Sequence, residues 1–517
     1  MNPLPTIGGQ IGNRLFHDYS YSQASRLLHH LASSRPDIVQ LATTQSLFGL
    51  PTAGECMDEN NARKPCLNYV LQVTNRTSSL HDPERPELLI SGALHGDERV
   101  GVITALELAN WLVIRYDVDG WIRRLVDSRV VLISPMTNAH GVASHARTEL
   151  GIDPNRDFPF DQLPTNCMQT IAARSVNELY RAHLLQLVVT FHGGMQAIGY
   201  NWGAFPYLNG VPHRSPDDTS MHSIATAMSH FAGTGSVPGN RPYPLATMND
   251  LVYPVHGGME DWGYAASWDV SYVRPCTPRV HGGYALSKTQ YGQAEIRAFT
   301  VLVETADRKA PSASTLGSEA GVYGPGRAGD GHVPRNMRLA LAAIDLVQPY
   351  VHVWHPSERL RVAGCVPLRW EVWGAVVVDE SVPVWRISES HAWATATFDY
   401  SAGTTPQQPQ STGFGVIRGG DGVWSSTASP FNPPVFAGCV QVPAATQLQL
   451  AIRVRVDGGW SVVPQNSYAP RRQPQTHLAL ARANGSYVSE YKGHRVRGHR
   501  YWQSNTLPIT VGRFRFH

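Results

Sequence analysis

Charge is scarce in this 517-residue chain: Asp, Glu, Lys and Arg make up 16% of it, against 42% hydrophobic residues. That balance points to little disordered character, which goes with high charge and few apolar residues. Charge of one sign is lacking too, since 43 Lys plus Arg face 40 Asp plus Glu, and so weak a field gives no reason to expect nucleic acid as a partner. Only the tail is basic, in YKGHRVRGHRYW and VGRFRFH, where the alternation with apolar residues describes the wet face of terminal strands. No apolar run has the roughly 20 residues that cross a bilayer, and nothing near Met1 reads as a secretory leader.

Cysteine is scarce and never spaced as C-x-x-C. Its even count (Cys56, Cys66, Cys167, Cys276, Cys365 and Cys439) nevertheless suggests disulfides and a secreted or lumenal protein whose leader has been removed. The expected pairs are Cys56 with Cys66, Cys167 with Cys276, and Cys365 with Cys439; six buried free thiols in a cytosolic enzyme are the alternative. Asn75 in NRT and Asn484 in NGS are candidate glycan acceptors, which agree with secretion.

Gly and Pro, at 46 and 37, are plentiful and imply many turns. The length implies two or three domains. After an N-terminal segment (1–17), apolar residues recur at helical spacing from Asp18 to about Pro36. ELLISGAL (87–94), RVVLISP (129–135), LLQLVVTF (184–191) and AFTVLV (298–303) are short, β-branched and apolar on both faces, as strands covered on each side should be. Helical patterns at 99–116 and 168–185 intervene. The order predicts an α/β domain over 18–312, with a central mixed, largely parallel sheet covered by helices on both faces. SASTLGSEAGVYGPGRAGDGHVP reads as a Gly/Ser/Pro-rich linker over 313–334. From 335 to 517 short alternating runs predict an all-β sandwich domain.

The spacing H-x-x-E occurs in three places, His81 with Glu84, His95 with Glu98 and His355 with Glu358. About one is expected by chance, so context must choose. The first and last enclose a proline and follow no buried strand. His95, His192 and Glu304, by contrast, each sit just past the end of an apolar strand, where ligands bind in open α/β sheets. His95 and Glu98 lie a helical turn apart at a strand-to-helix junction, and His192 can approach from a neighbouring strand. The resulting His2Glu set leaves a zinc ion one open position, as hydrolytic sites require, whereas structural zinc more often recruits cysteines.

Five ordered blocks give the chain a resemblance to the zinc metallocarboxypeptidases over roughly 18–312, nearest their carboxypeptidase N/E branch: HGDERVG, GIDPNRDFP, FHGG, YPVHGGMEDWGY and VETADRKAP. The resemblance implies one zinc ion held by His95, Glu98 and His192. It makes Glu304 the general base that takes a proton from water and returns it to the leaving amine. Asn155 and Arg156 would bind the substrate's terminal carboxylate and Tyr253 would close over it. Arg147 would stabilise the oxyanion, although it sits one residue nearer the Asn-Arg block than the N/E pattern has it. NAHG (138–141) also departs from the usual N-P-D-G.

The side-chain pocket departs further. Gly203 stands where N/E relatives carry an aspartate, and Glu260 stands where carboxypeptidase B has an acidic residue. A buried Glu260 would select a C-terminal Lys or Arg, unless it pairs with an Arg or His nearby. The expected partners are therefore peptide or protein C-termini ending in Lys or Arg. Alternatives are a zinc amidase acting on acylated amino acids or cell-wall peptides, or an inactive binding protein of this family. The C-terminal domain is expected to be transthyretin-like or larger, with a partner or a glycan as its candidate ligand.

Overall fold

The computed structural model describes residues 12–347 apart from 59, 61, 77–86, 184, 209–213, 216–217, 268, 292–297 and 325–327, and beyond 347 mainly strand segments between Tyr350 and Thr510. Two compact units emerge, the first running in the main to Asp345 and the second from Leu346 onward.

The strands of the first unit are β1 (Val39–Thr43), β2 (Glu55–Met57), β3 (Arg63–Pro65), β4 (Tyr69–Val73), β5 (Glu87–Ser91), β6 (Val130–Ser134), β7 (Leu185–His192), β8 (Met195–Tyr200), β9 (Leu245–Thr247) and β10 (Phe299–Ala306). Eight of them form one sheet in the order β1-β4-β6-β5-β7-β10-β8-β9, while β2 and β3 form a separate hairpin. The central strands β6, β5, β7 and β10 are parallel, and they are the four apolar runs of the sequence. Every residue of β7 is buried, as an interior parallel strand between two layers must be. Antiparallel β4 and β8 flank this core, so the sheet is mixed.

Local chemistry sets the helix ends. Ser20 and Gln23 form a capping box at the start of helix Tyr21–Ser34, and Thr170 accepts from the Ala173 amide to start helix Ile171–Ala182. Helix Arg99–Arg115 has no wet face, because all of its residues are buried. Its charges are therefore paired: Glu107 accepts from the Arg14 guanidinium at 2.9 Å, as a buried carboxylate requires.

The described residues of the segment 313–334, expected as a linker, are instead packed into the first unit. Leu316 and Val322 are buried, and a Cβ added at Gly321 would lie 2.5 Å from the Gly329 carbonyl oxygen. Its glycines permit close backbone approach rather than freedom. Helix His332–Leu346, expected to open the C-terminal domain, likewise falls in the first unit up to Asp345. There Arg338 pairs with buried Asp330 at 2.9 Å. In the second unit, strands Tyr350–Trp354, Cys365–Trp373, Val435–Gln441 and Thr397–Asp399 form one sheet, and strands Ala394–Thr395, Val378–Arg386, Gln447–Val456, Gly459–Val463 and Leu507–Thr510 form another. The sandwich expected for this region remains a proposal.

Cys56–Cys66 and Cys167–Cys276 form disulfides. Cys365 and Cys439 lie on adjacent antiparallel strands, opposite Gln441 and Pro367; their side chains are outside the described residues, as is Asn484. The Asn75 amide nitrogen, where a glycan would be joined, donates to Tyr116 and Asp127 at 2.8 Å each.

Asp157 is buried and accepts from the backbone amides of Gln169 and Thr170. Burial nonetheless pushes its carboxyl up to about 7. The native state then keeps a proton that the unfolded chain releases near pH ~4. This group therefore favours the fold at acid pH, and that contribution is lost as pH rises from about 4 towards 7. Urea denaturation at pH 5 and pH 8 should show a smaller difference for Asp157→Asn than for the unmodified chain. An equal difference would contradict the assignment.

Candidate active site

The parallel core aims several strand ends at one place. β7 ends on His192, which lies in register with Glu304 of β10. β5 ends at Ser91, and the following loop carries His95 and Glu98 to the start of helix Arg99–Arg115. A Cβ on Gly96 would lie 2.0 Å from the Gly141 carbonyl carbon, so only glycine lets this loop press against helix Ala139–Ser144.

His95, Glu98 and His192 are buried, and one ligand atom from each lies within 4.8 Å of the others. His95 Nδ1 is 3.1 Å from Glu98 Oε1, His192 Nδ1 is 3.0 Å from Glu98 Oε2, and the two Nδ1 atoms are 3.1 Å apart. The outward nitrogens bear on where the ring protons sit. His95 Nε2 faces Asp153 Oδ1 at 2.9 Å, and a carboxylate there assigns the proton to Nε2. His192 Nε2 faces the Thr190 hydroxyl at 3.3 Å and Glu260 Oε1 at 3.7 Å. A proton on each Nε2 leaves both Nδ1 lone pairs facing the carboxylate oxygens. Electron pairs this close repel unless a proton or a cation lies among them. The donor chemistry fits a divalent metal of zinc's type.

Until a cation takes that place a proton does: burial works against a charged His192 ring, but the hydrogen bond and charge of Glu98 outweigh it and push His192 up to about 9. Burial would likewise raise Glu98, yet His192 and His95 hold it well below the usual carboxylate range. Glu304 is raised above its ordinary value, chiefly by burial, and its Oε2 has no hydrogen-bond partner among the described residues.

The other expected residues gather around this centre. Arg147 Nη1 donates to Glu98 at 3.2 Å and its Nε to Asp153 at 3.0 Å. Arg156 donates to the Asn155 carbonyl at 2.6 Å, its guanidinium carbon stands 5.8 Å from the Tyr253 ring centroid, and among the described residues it forms no ion pair. Tyr253 is 53% exposed. Gly257, with φ of +67°, bonds to Phe158 and Phe160 and so ties the tyrosine segment to the Asn-Arg segment.

Asn155 and Glu260 lie against each other. The Asn155 side-chain oxygen accepts from the Met259 amide at 2.8 Å, and its amide nitrogen faces Glu260 Oε1 at 3.4 Å. Asn155 thus anchors helix Met259–Ala265, and Glu260, only 1% exposed, has His192 and Asn155 as neighbours. The Gly203 amide donates to Asp261 at 2.9 Å, and a Cβ at Gly203 would meet Met248 at 3.0 Å.

Asp153 was missed as a functional residue. In the sequence it is merely a neighbour of Arg156; its contact with His95 spans 58 positions. The proline after it, which starts a turn of 3-10 helix, was the local sign that its side chain is fixed.

A model of the family described as zinc carboxypeptidase matches residues 25–294, just over half of the chain. The chain belongs to that family. Carboxypeptidase SOL1 of Arabidopsis thaliana is 24% identical over 253 residues, covering 48% of this chain and 45% of its own length. Human carboxypeptidase D is 25% identical over 271 residues, covering 48% of this chain and 18% of its own. The chain thus spans less than half of either relative. Among solved structures, that of bovine thrombin-activatable fibrinolysis inhibitor in complex with tick carboxypeptidase inhibitor aligns with 64% of this chain and 97% of its own, at 12% identity and a TM-score of 0.42.

Proposed function

We propose that this chain is a zinc-dependent exopeptidase that hydrolyses the C-terminal peptide bond of peptides or proteins. The observation that carries this reading is the inward convergence of His95 Nδ1, His192 Nδ1 and the Glu98 carboxylate, with Glu304 beside them on β10. The chemistry a bound zinc supplies is Lewis acidity, which polarises the scissile carbonyl and makes water easier to deprotonate. Glu304, with one oxygen unpartnered among the described residues, takes the proton and delivers it to the leaving amine. Arg147 stands beside Glu98, where it neutralises charge developing on the carbonyl oxygen. Arg156, backed by Tyr253, receives the terminal carboxylate. Asp153 holds His95 in the tautomer the centre needs. The two disulfides support a secreted or lumenal location.

Loss of turnover when the substrate's terminal carboxylate is amidated is the test of exopeptidase action. Unchanged turnover would favour an amidase.

Specificity for Lys or Arg rests on Glu260, a buried carboxylate with no Lys or Arg partner among the described residues. On this reading hippuryl-Arg and hippuryl-Lys are cleaved faster than hippuryl-Phe. Removing one member of a desolvated charge pair costs about 2 kcal/mol or more, so Glu260→Gln should lower the Arg-to-Phe ratio of kcat/KM by roughly 30-fold or more. A ratio left unchanged by that substitution would mean that Glu260 serves His192 and Asn155 alone.

A further inference from the structure

Two segments outside the region matched by the zinc carboxypeptidase model run side by side: Arg14–Phe16 before it, and Gly317–Glu319 beyond it. The Phe16 amide donates to the Gly317 carbonyl at 2.9 Å, and the Glu319 amide to the Arg14 carbonyl at 3.0 Å. The first segment grips helix Arg99–Arg115 at two places. Arg14 bonds to Glu107 and Glu319, and further on Asp18 and Tyr19 reach Arg99.

Arg99 directly follows the ligand Glu98 and is 2% exposed. Each of its five N–H groups meets an acceptor. Nε and one Nη2 hydrogen point to Asp18, at 3.1 and 2.9 Å, and the second Nη2 hydrogen to the Tyr19 carbonyl at 2.7 Å. The two Nη1 hydrogens point to the carbonyls of Gly96 and Val142, at 3.2 and 3.4 Å. Its backbone amide donates to the Lys309 carbonyl at 2.7 Å. Gly96 lies between His95 and Glu98, Val142 lies on the helix ahead of Arg147, and Lys309 follows Glu304 on the chain leaving β10. One residue thus joins the backbones that carry two ligands, the oxyanion arginine and the general base.

We infer that Arg99, locked in place by Asp18, is a positioning residue for the metal centre, an inference that rests on the metalloenzyme reading above. A planar guanidinium with all donors engaged has a single orientation, so it fixes the Gly96 carbonyl and with it the angle between His95 and Glu98. A lysine offers three donors on one nitrogen and cannot span the same acceptors. Partners that orient metal ligands typically contribute about 10- to 100-fold to metal affinity.

The test uses the full chain. Zinc affinity is measured by competition with a chelator, and ligand geometry by the visible absorption of the cobalt-substituted protein. Arg99→Met should loosen zinc by about 10- to 100-fold and alter the cobalt spectrum; Asp18→Asn should do the same to a smaller extent, and Arg99→Lys should not restore the original affinity. Arg14→Met removes the strap's other anchor without touching the ligand loop, and should leave both readouts unchanged. Should Arg99→Met fail to fold, Asp18→Asn and Arg99→Lys decide the matter. Unchanged zinc affinity and spectrum in the folded Arg99 and Asp18 variants overturn the inference, as does an equal loss in Arg14→Met, which would mean a general loosening. An unmodified chain that binds no zinc would defeat the metalloenzyme reading itself, and the two failures are thereby told apart.

Discussion

Glu304→Gln is expected to cut kcat by roughly 10²- to 10⁴-fold while leaving zinc content and thermal stability close to those of the unmodified chain. The substitution keeps the shape of the side chain and removes only its capacity to take a proton. Little else should change, because among the described residues Glu304 Oε2 has no hydrogen-bond partner to lose and the residue's backbone remains paired in register with His192. Burial is the main reason its carboxyl is raised, and a neutral amide removes that desolvation cost rather than adding to it. The measurement is kcat with a hippuryl substrate alongside metal analysis of the same preparation. Full activity in a zinc-loaded Glu304→Gln protein would remove this residue from the reaction, and loss of zinc would show that it serves the centre structurally.

His192→Ala is expected to abolish stoichiometric zinc binding and, with it, activity. Two ligands on one loop remain, but His192 is the one contribution from β7, and without it the centre loses both its third donor and its closure. The effect reaches stability through mass action, since a ligand present at about 1,000 times its dissociation constant stabilises the fold by about 4 kcal/mol. A chelator should therefore lower the thermal midpoint of the unmodified protein and leave that of His192→Ala where it is. If both midpoints fall equally, or if the variant retains one zinc per chain, His192 is not a ligand. Its buried position in a fully buried strand makes the control essential, because truncation also leaves a cavity costing a few kcal/mol; only the chelator-dependent difference reports the metal.

Legibility differed from residue to residue for physical reasons. His95, Glu98, His192 and Glu304 could be singled out because each follows a run of β-branched apolar residues, and a strand buried on both faces announces itself in one dimension. Their convergence followed from the rule that parallel strands present their carboxyl ends together. The Cys56–Cys66 and Cys167–Cys276 pairs were expected and are present. Glu260 shows the limit of such reasoning. Its position suggested a substrate-facing carboxylate, but whether it faces a pocket or its neighbours His192 and Asn155 depends on how helix Met259–Ala265 is anchored. The stretch 313–334 misled for a similar reason, since glycine serves free tethers and tight backbone contacts alike.

By itself the sequence determined the α/β class of the first domain, the central strands and the four residues on which the proposed chemistry turns, because hydrophobic periodicity and short-range spacing are properties of neighbouring positions. Only the tertiary structure decided what surrounds them: Asp153 behind His95, Arg147 on Glu98, and Asp18 holding Arg99. These pairs join residues scattered far along the chain, and a hydrogen bond between distant side chains leaves no period or motif from which it can be read in advance.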